Sequence, residues 1–172
     1  MNILKVNKLM TVRQHGAMEY TTPPCDLDEV RRYRLARIQE ELVRQDLAGI
    51  ILYDQLNTRY ATDATNMQIW CAHNETRYVY VPANSGAIMF EYGGKSLLSD
   101  GLPGIERVAK PRTFCYMNAG QHAAERAKVW AIEMDAIIRE HSGGSRRIAI
   151  DRMAPIGVQI MEELGYEVHD GF

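Results

Sequence analysis

The stretch Ala48 to Tyr53, AGIILY, is short and continuously apolar, and it starts a few residues after an amphipathic helix pattern. That pairing restricts the fold more than any other feature of the chain. A strand covered on both faces shows no alternation and reads as such a run. Before it, Val30, Leu35, Ile38 and Leu42 recur at helical spacing, while Arg31, Arg32, Arg37, Glu40 and Arg44 fill the other face. Asp26 or Asp28 can cap this helix, which runs to about Gln45, with Asp46 and Gly49 near its end. The same arrangement recurs later. Residues Gln121 to about His141 form the clearest helix pattern, with Ala123, Ala127, Trp130, Met134 and Ile137 along one face, and RRIAID, Arg146 to Asp151, follows as a second buried strand. Helices that feed directly into buried strands predict an α/β layered fold.

The remaining elements fill in between. Arg77 to Pro82, RYVYVP, alternates and is aromatic and β-branched, so it is predicted to be a strand. Asn84-Ser85-Gly86 gives a turn, and Ala87 to Tyr92 pairs back as a hairpin closed by Gly93-Gly94. Leu97 to Gly104 reads as irregular or a short helix. ERVAKPRTF is a weak strand, demoted by Pro111. Gly143-Gly144 stops the long helix, with Arg139 and His141 where its dipole favours cations. Pro155 opens a last helix that Gly165 ends, and YEVHD is a terminal strand. The expected architecture is a mixed β-sheet with helices on both faces. Residues 1–26, which end near Pro23-Pro24 and lack sustained periodicity, read as an N-terminal arm.

Several function classes lack support. The net charge of −2 comes from mixed acids and bases, with no basic stripe for nucleic acid. No apolar run approaches the roughly 20 residues of a membrane span, and the apolar start of the chain is interrupted by Lys5 and Lys8. Cys25, Cys71 and Cys115 are far apart and odd in number, which fits reduced thiols and a cytoplasmic location better than a disulfide framework or a zinc site. There is no H-E-x-x-H, no Walker loop and no G-x-G-x-x-G; GGKS at Gly93 to Ser96 reads as a hairpin exit. The nine methionines are scattered gap-fillers, and Trp130, on an apolar helix face, is a core residue. His15, His122, His141 and His169 are isolated. Asp54, Asp63, Asp100 and Asp151 lie near strand or loop ends, where α/β folds place sites, without forming a metal cluster.

One segment resists a purely structural reading. Between the strands at Ala48–Tyr53 and Arg77–Pro82 lie Asp54, Asn57, Arg59, Asp63, Thr65, Asn66, Gln68, His73 and Asn74, with Trp70 among them. Asp54 suits the cap of a short helical turn at about Leu56 to Ala61. The stretch Arg59 to Asn74 is expected to be a surface loop, because its polar density would otherwise leave buried groups without partners. A Trp in a polar setting suits an interface or a ligand contact as well as it suits packing.

The pattern Asp54-x-x-Asn57-x-Arg59-Tyr60-x-Thr62 after an apolar strand resembles the D-P-x-N-I-R-Y-L-T segment of the N-terminal domain in the creatinase, prolidase and aminopeptidase P family, with Gln55 in place of the proline and Thr58 in place of the isoleucine. The longer run NTRYATDATNMQIWCAHNETR, together with HSGGSRRIAID, resembles dimethylsulfoniopropionate lyases built on that fold. The resemblance covers residues 27–172 and implies a creatinase/prolidase-type N-terminal domain. It also implies a C-terminal pita-bread domain holding two metal ions, whose ligand motifs do not occur in this chain, so that the chain alone is expected to show no catalysis. In such proteins the N-terminal domain reaches over the pocket of a partner subunit. The resemblance therefore implies a homodimer with a small-molecule or peptide substrate, and substrate-facing roles for Trp70 and, more weakly, His73 and Asp63. Two functions follow as expectations. One is a substrate-capping, dimerising domain of a lyase or an Xaa-Pro peptidase or creatinase-type hydrolase; the other is a stand-alone, non-catalytic interaction domain.

Overall fold

The computed structural model describes residues 25–171; the arm expected over residues 1–26 lies almost wholly outside them. Asp26 caps the first helix, α1 (Leu27–Arg44), by accepting from the backbone N–H groups of Asp28 and Glu29. Six strands follow in one sheet: β1 (Gly49–Leu52), β2 (Tyr78–Pro82), β3 (Ala87–Phe90), β4 (Ile105–Ala109), β5 (Arg147–Ile150) and β6 (Glu167–Asp170). Their spatial order is β4-β3-β2-β1-β5-β6. β2 runs antiparallel to both its neighbours, while β1, β5 and β6 are mutually parallel and β4 is parallel to β3. Five strands therefore point one way and β2 the other, so the mixed sheet expected from the sequence is present. The weak strand before Pro111 is β4, at one edge of the sheet, where the missing proline N–H costs no ladder bond.

Successive strand residues face opposite sides, and both sides are covered. On one face Ile51, Tyr53, Tyr80, Phe90 and Ile148 pack against Trp130, Met134 and Ile138 of α5 (Ala123–His141) and Ile160 and Met161 of α6 (Pro155–Glu163). On the other, Ile50, Leu52, Val79, Val81 and Met89 meet Leu35 and Leu42 of α1 and Ala61 of α2 (Gln55–Thr62). Coverage of both faces is why β1 and β5 read as unbroken apolar runs. α6 stops where Gly165 turns left-handed (φ 86°), a conformation that costs glycine little.

The structure differs from the sequence expectation chiefly between β1 and β2. Arg59 to Asn74 is not a loop. It contains the end of α2 and a further helix, α3 (Gln68–His73), and Thr62, Ala64, Asn66 and Cys71 are buried. The polar groups find internal partners, which removes the objection to burying them. A short helix, α4 (Tyr116–Ala119), also forms between β4 and the long helix, where the sequence pattern assigns no element.

Because five strands share a direction, their C-terminal ends lie together, and the connections α2–α3, 91–99, 110–119 and residue 151 all gather at that end of the sheet. Asp151 fastens it. Its carboxylate accepts from the N–H groups of Tyr53 (2.7 Å) and Asp54 (3.1 Å) and from Asn57 Nδ2 (3.1 Å), joining the ends of β5 and β1 to α2. Asp54 in turn caps α2 by accepting from Leu56 and Asn57 N–H groups.

Two outcomes follow from this packing. Trp130 is fully buried, so Trp130→Ala should cost about 3–5 kcal/mol in thermal or denaturant unfolding. Burial pushes the Asp151 carboxyl above its ordinary value, outweighing the three hydrogen bonds that favour its charge. An acid whose folded value is raised stabilises the fold fully below the unfolded value of about 3.9 and loses that contribution as pH rises through the folded value. Urea unfolding from acid to neutral pH should therefore show the wild type losing ground to Asp151→Asn as pH rises; a difference that runs the other way would contradict the burial argument.

Candidate functional site

At the gathered end of the sheet the most heavily bonded group is a buried ion pair. Arg77, just before β2, and Glu91, just after β3, face each other across the hairpin, one step beyond the Tyr78–Phe90 pair. Arg77 Nε donates to Glu91 Oε1 (2.9 Å) and Nη2 to Oε2 (3.2 Å), and neither side chain is measurably open to solvent. The third guanidinium arm donates to Gln55 Oε1 (3.0 Å), and Gln55 Nε2 donates to the Tyr53 and Arg77 carbonyls. Glu91 also accepts from Asn66 Nδ2 (2.8 Å) and from the Ser99 hydroxyl. With both carboxylate oxygens and every guanidinium nitrogen paired, the pair meets the condition under which buried charge is tolerated.

This network carries α3. Its N-cap, Met67, provides no side-chain hydrogen bond and lies left-handed at φ 39°, ψ 48°. The residue before it, Asn66, is bonded to Glu91. At the other end Asn74 Nδ2 donates to the Trp70 carbonyl (3.1 Å). Trp70 is half-buried, its ring centroid 4.6 Å from that of Tyr92 at an interplanar angle of 35°. Around this end Met67, Ile69, Leu97, Tyr116 and Met117 are exposed; Ile69 is 91% exposed. These apolar side chains all belong to connections at the same end of the sheet.

The three residues singled out by sequence do not converge on one pocket. Asp63 ends α2 in a left-handed conformation (φ 58°) and its carboxylate accepts from Arg31 Nε (3.0 Å) and Nη2 (2.8 Å), tying α2 to α1. It lines a concavity of about 400 Å³ with Arg34, Leu56 and Tyr60. Trp70 and His73 share α3, where His73 is exposed in the last turn. A larger groove, about 720 Å³, lies between the second half of α1 and Ile50, Leu52 and Ala149; none of the three residues lines it. Sequence reasoning missed Arg77, Glu91 and Tyr92. Opposite charges placed symmetrically about Asn84 were the available signal, but only the third dimension shows that they are buried.

Among the described residues no group of three or more His, Cys, Asp or Glu stands close enough to hold a metal ion, and no helix is long and apolar enough to cross a membrane.

No family model matches the chain. It is 34% identical over 146 residues to the dimethylsulfoniopropionate lyase DddP of Roseobacter denitrificans, covering 85% of this chain and 33% of that protein. It is 33% identical over 146 residues to the lyase of the same name from Roseovarius nubinhibens, with the same coverage. The chain thus spans about one third of the length of the curated relatives it matches. Among solved structures it is similar to an Xaa-Pro aminopeptidase from Streptococcus pyogenes (TM-score 0.54, 14% identity, 81% of this chain and 90% of that one). It is also similar to the N-terminal domain of the cytoplasmic peptidase PepQ from Mycobacterium tuberculosis (TM-score 0.50, 12% identity, 81% and 92%). At such identities these structures speak for the fold, and the lyases supply the sequence kinship. The chain thus has the fold of these peptidase N-terminal domains, and the dimethylsulfoniopropionate lyases are its relatives in sequence over the third of their length that it spans.

Proposed function

We propose that this chain is the substrate-capping and dimerising domain of an enzyme that cleaves dimethylsulfoniopropionate to dimethyl sulfide and acrylate. The observation that carries the proposal is Trp70: a half-buried indole on α3, backed by Tyr92 and set among exposed apolar side chains at one end of the sheet. The relatives at 34% and 33% identity favour the lyase over Xaa-Pro hydrolysis, since the peptidase neighbours share only the fold. On this reading the exposed end, with Ile69 and Met67, lies against a second subunit, and the dinuclear metal centre belongs to a catalytic domain outside these residues. His73 and Asp63 are proposed as secondary: His73 stands at the solvent side of the same helix, and Asp63 acts through its ion pair with Arg31. The same apolar end would also serve a free-standing domain that pairs without binding substrate.

The reaction is a β-elimination. A base removes the proton on the carbon next to the carboxylate, the freed electron pair forms the C=C bond of acrylate, and the C–S bond pair leaves with sulfur as neutral dimethyl sulfide. The positive charge therefore sits on sulfur at the start and is gone at the end. An indole face attracts that charge by cation–π interaction, ~0.5–2 kcal/mol depending on desolvation. Because the attraction fades as the C–S bond breaks, Trp70 supports substrate binding more than the chemical step.

In the full-length lyase, Trp70→Ala should raise KM on the order of tenfold with kcat unchanged or slightly raised, so that kcat/KM falls by no more than KM rises. Trp130→Ala is the control, reducing stability with normal kinetics in the enzyme that remains folded. Should Trp70→Ala behave like Trp130→Ala, Trp70 is a packing residue and the stand-alone interaction domain becomes the better reading.

A further inference from the structure

Trp70 and Tyr92 come from different segments, and their ring contact depends on how those segments are held. α3 cannot hold itself: it has six residues, no side-chain cap and a left-handed methionine at its start. A left-handed conformation in a residue other than glycine persists only where surrounding contacts impose it. Tyr92 opens a stretch with two 3-10 turns, Tyr92–Gly94, in which Gly93 and Gly94 are left-handed, and Ser96–Leu98, separated by Lys95. That stretch is largely exposed and has little packing of its own.

Both segments are pinned to one carboxylate. Glu91 accepts from Asn66, four residues before Trp70, and is itself the residue before Tyr92. The Ser99 hydroxyl, at the far end of the exposed stretch, donates to the same carboxylate, and Asn66 Nδ2 also reaches the Tyr92 carbonyl (3.5 Å). Arg77 fixes the carboxylate to the start of β2. Glu91 therefore sets where α3 begins and where the Tyr92 stretch begins and ends.

We propose that Tyr92 is a positioning residue for Trp70, and that the buried Asn66–Glu91 hydrogen bond holds the two rings in register so that the indole offers a single face to the substrate's methylated cationic group. The proposal rests on the reading of Trp70 as substrate-facing. Tyr92 lies against the indole, whose ring centroid is 4.6 Å from its own, and Trp70 remains partly exposed. Small methylated onium ions, sulfonium or quaternary ammonium, are the ligand class such a face selects, since their charge is spread over methyl groups that pack against a ring.

The test separates the positioning claim from the substrate claim. The chain has two tryptophans, and a Trp70→Phe variant supplies the Trp130 signal for subtraction, leaving Trp70 fluorescence to be quenched with acrylamide. Tyr92→Ala should roughly double the Trp70 quenching constant, because the part of the indole that Tyr92 covers opens, while Tyr92→Phe should keep it at the wild-type level. Asn66→Ala should raise quenching and shift Trp70 emission to the red, with the buried Trp130 signal unchanged. If Asn66→Ala exposes Trp130, the fold has loosened and the Tyr92→Ala and Tyr92→Phe pair decides instead. Unchanged Trp70 quenching in Tyr92→Ala overturns the positioning role. In the full-length lyase, Tyr92→Ala should raise KM for dimethylsulfoniopropionate roughly threefold with little change in kcat, and Tyr92→Phe should restore it. Normal kinetics in Trp70→Ala would defeat the substrate reading while leaving the fluorescence result to judge the positioning.

Discussion

The C-terminal end of the sheet in this domain depends on one buried ion pair. Arg77 and Glu91 are shut off from solvent, a situation that costs several kcal/mol per charge unless every hydrogen-bonding site is filled. Gln55, Asn66 and Ser99 fill them, and each comes from a different segment at the C-terminal end of the sheet. Removing any one leaves a polar group or a charge buried and unpaired, so the segments are fixed as a set. An apolar replacement of similar shape could match the pair in stability, but it would not specify where three connecting segments start and stop. On this view the pair serves position more than net stability.

Strand direction explains why so much converges there. One reversed strand, β2, among five parallel ones brings the connections after β1, β3, β4 and β5 to the same end. Asp151 and the Arg77–Glu91 pair then act as two separate fasteners: the first joins β1, β5 and α2, the second joins β2, β3, α2 and the approach to α3. α2 is held by both, through Asn57 and Gln55. α3 follows α2 closely and inherits that rigidity, which a six-residue helix does not generate by itself.

The polar density between the first two strands has a double explanation. Asp54, Gln55, Asn57, Thr58 and Asn66 are internal ties, each with a partner within the domain. Trp70 and the exposed Met67 and Ile69 are what those ties present to the outside. The expectation of a loop failed because it treated polar side chains as evidence of exposure. Here they satisfy one another, and the short helices they anchor can be partly buried.

The sequence by itself determined the elements whose causes are local. The helical spacing of α1 and α5, the caps at Asp26 and Asp54, the stops at Gly165 and Gly143-Gly144, and the unbroken apolar runs of β1 and β5 all come from interactions within a few residues or from burial on both faces. Kinship was legible too, since the run Arg59 to Asn74 is long enough to carry a resemblance without any geometry. Only the tertiary structure decided which groups meet. Tyr53 and Asp151 are 98 positions apart, Asn66 and Glu91 are 25, and Arg31 and Asp63 are 32. Such pairings follow from strand order and direction, which no local pattern encodes. A carboxylate in the sequence looks the same whether it caps a helix at the surface, as Asp54 does, or anchors a buried network, as Glu91 does. What separates them is the desolvation that comes only with the assembled sheet.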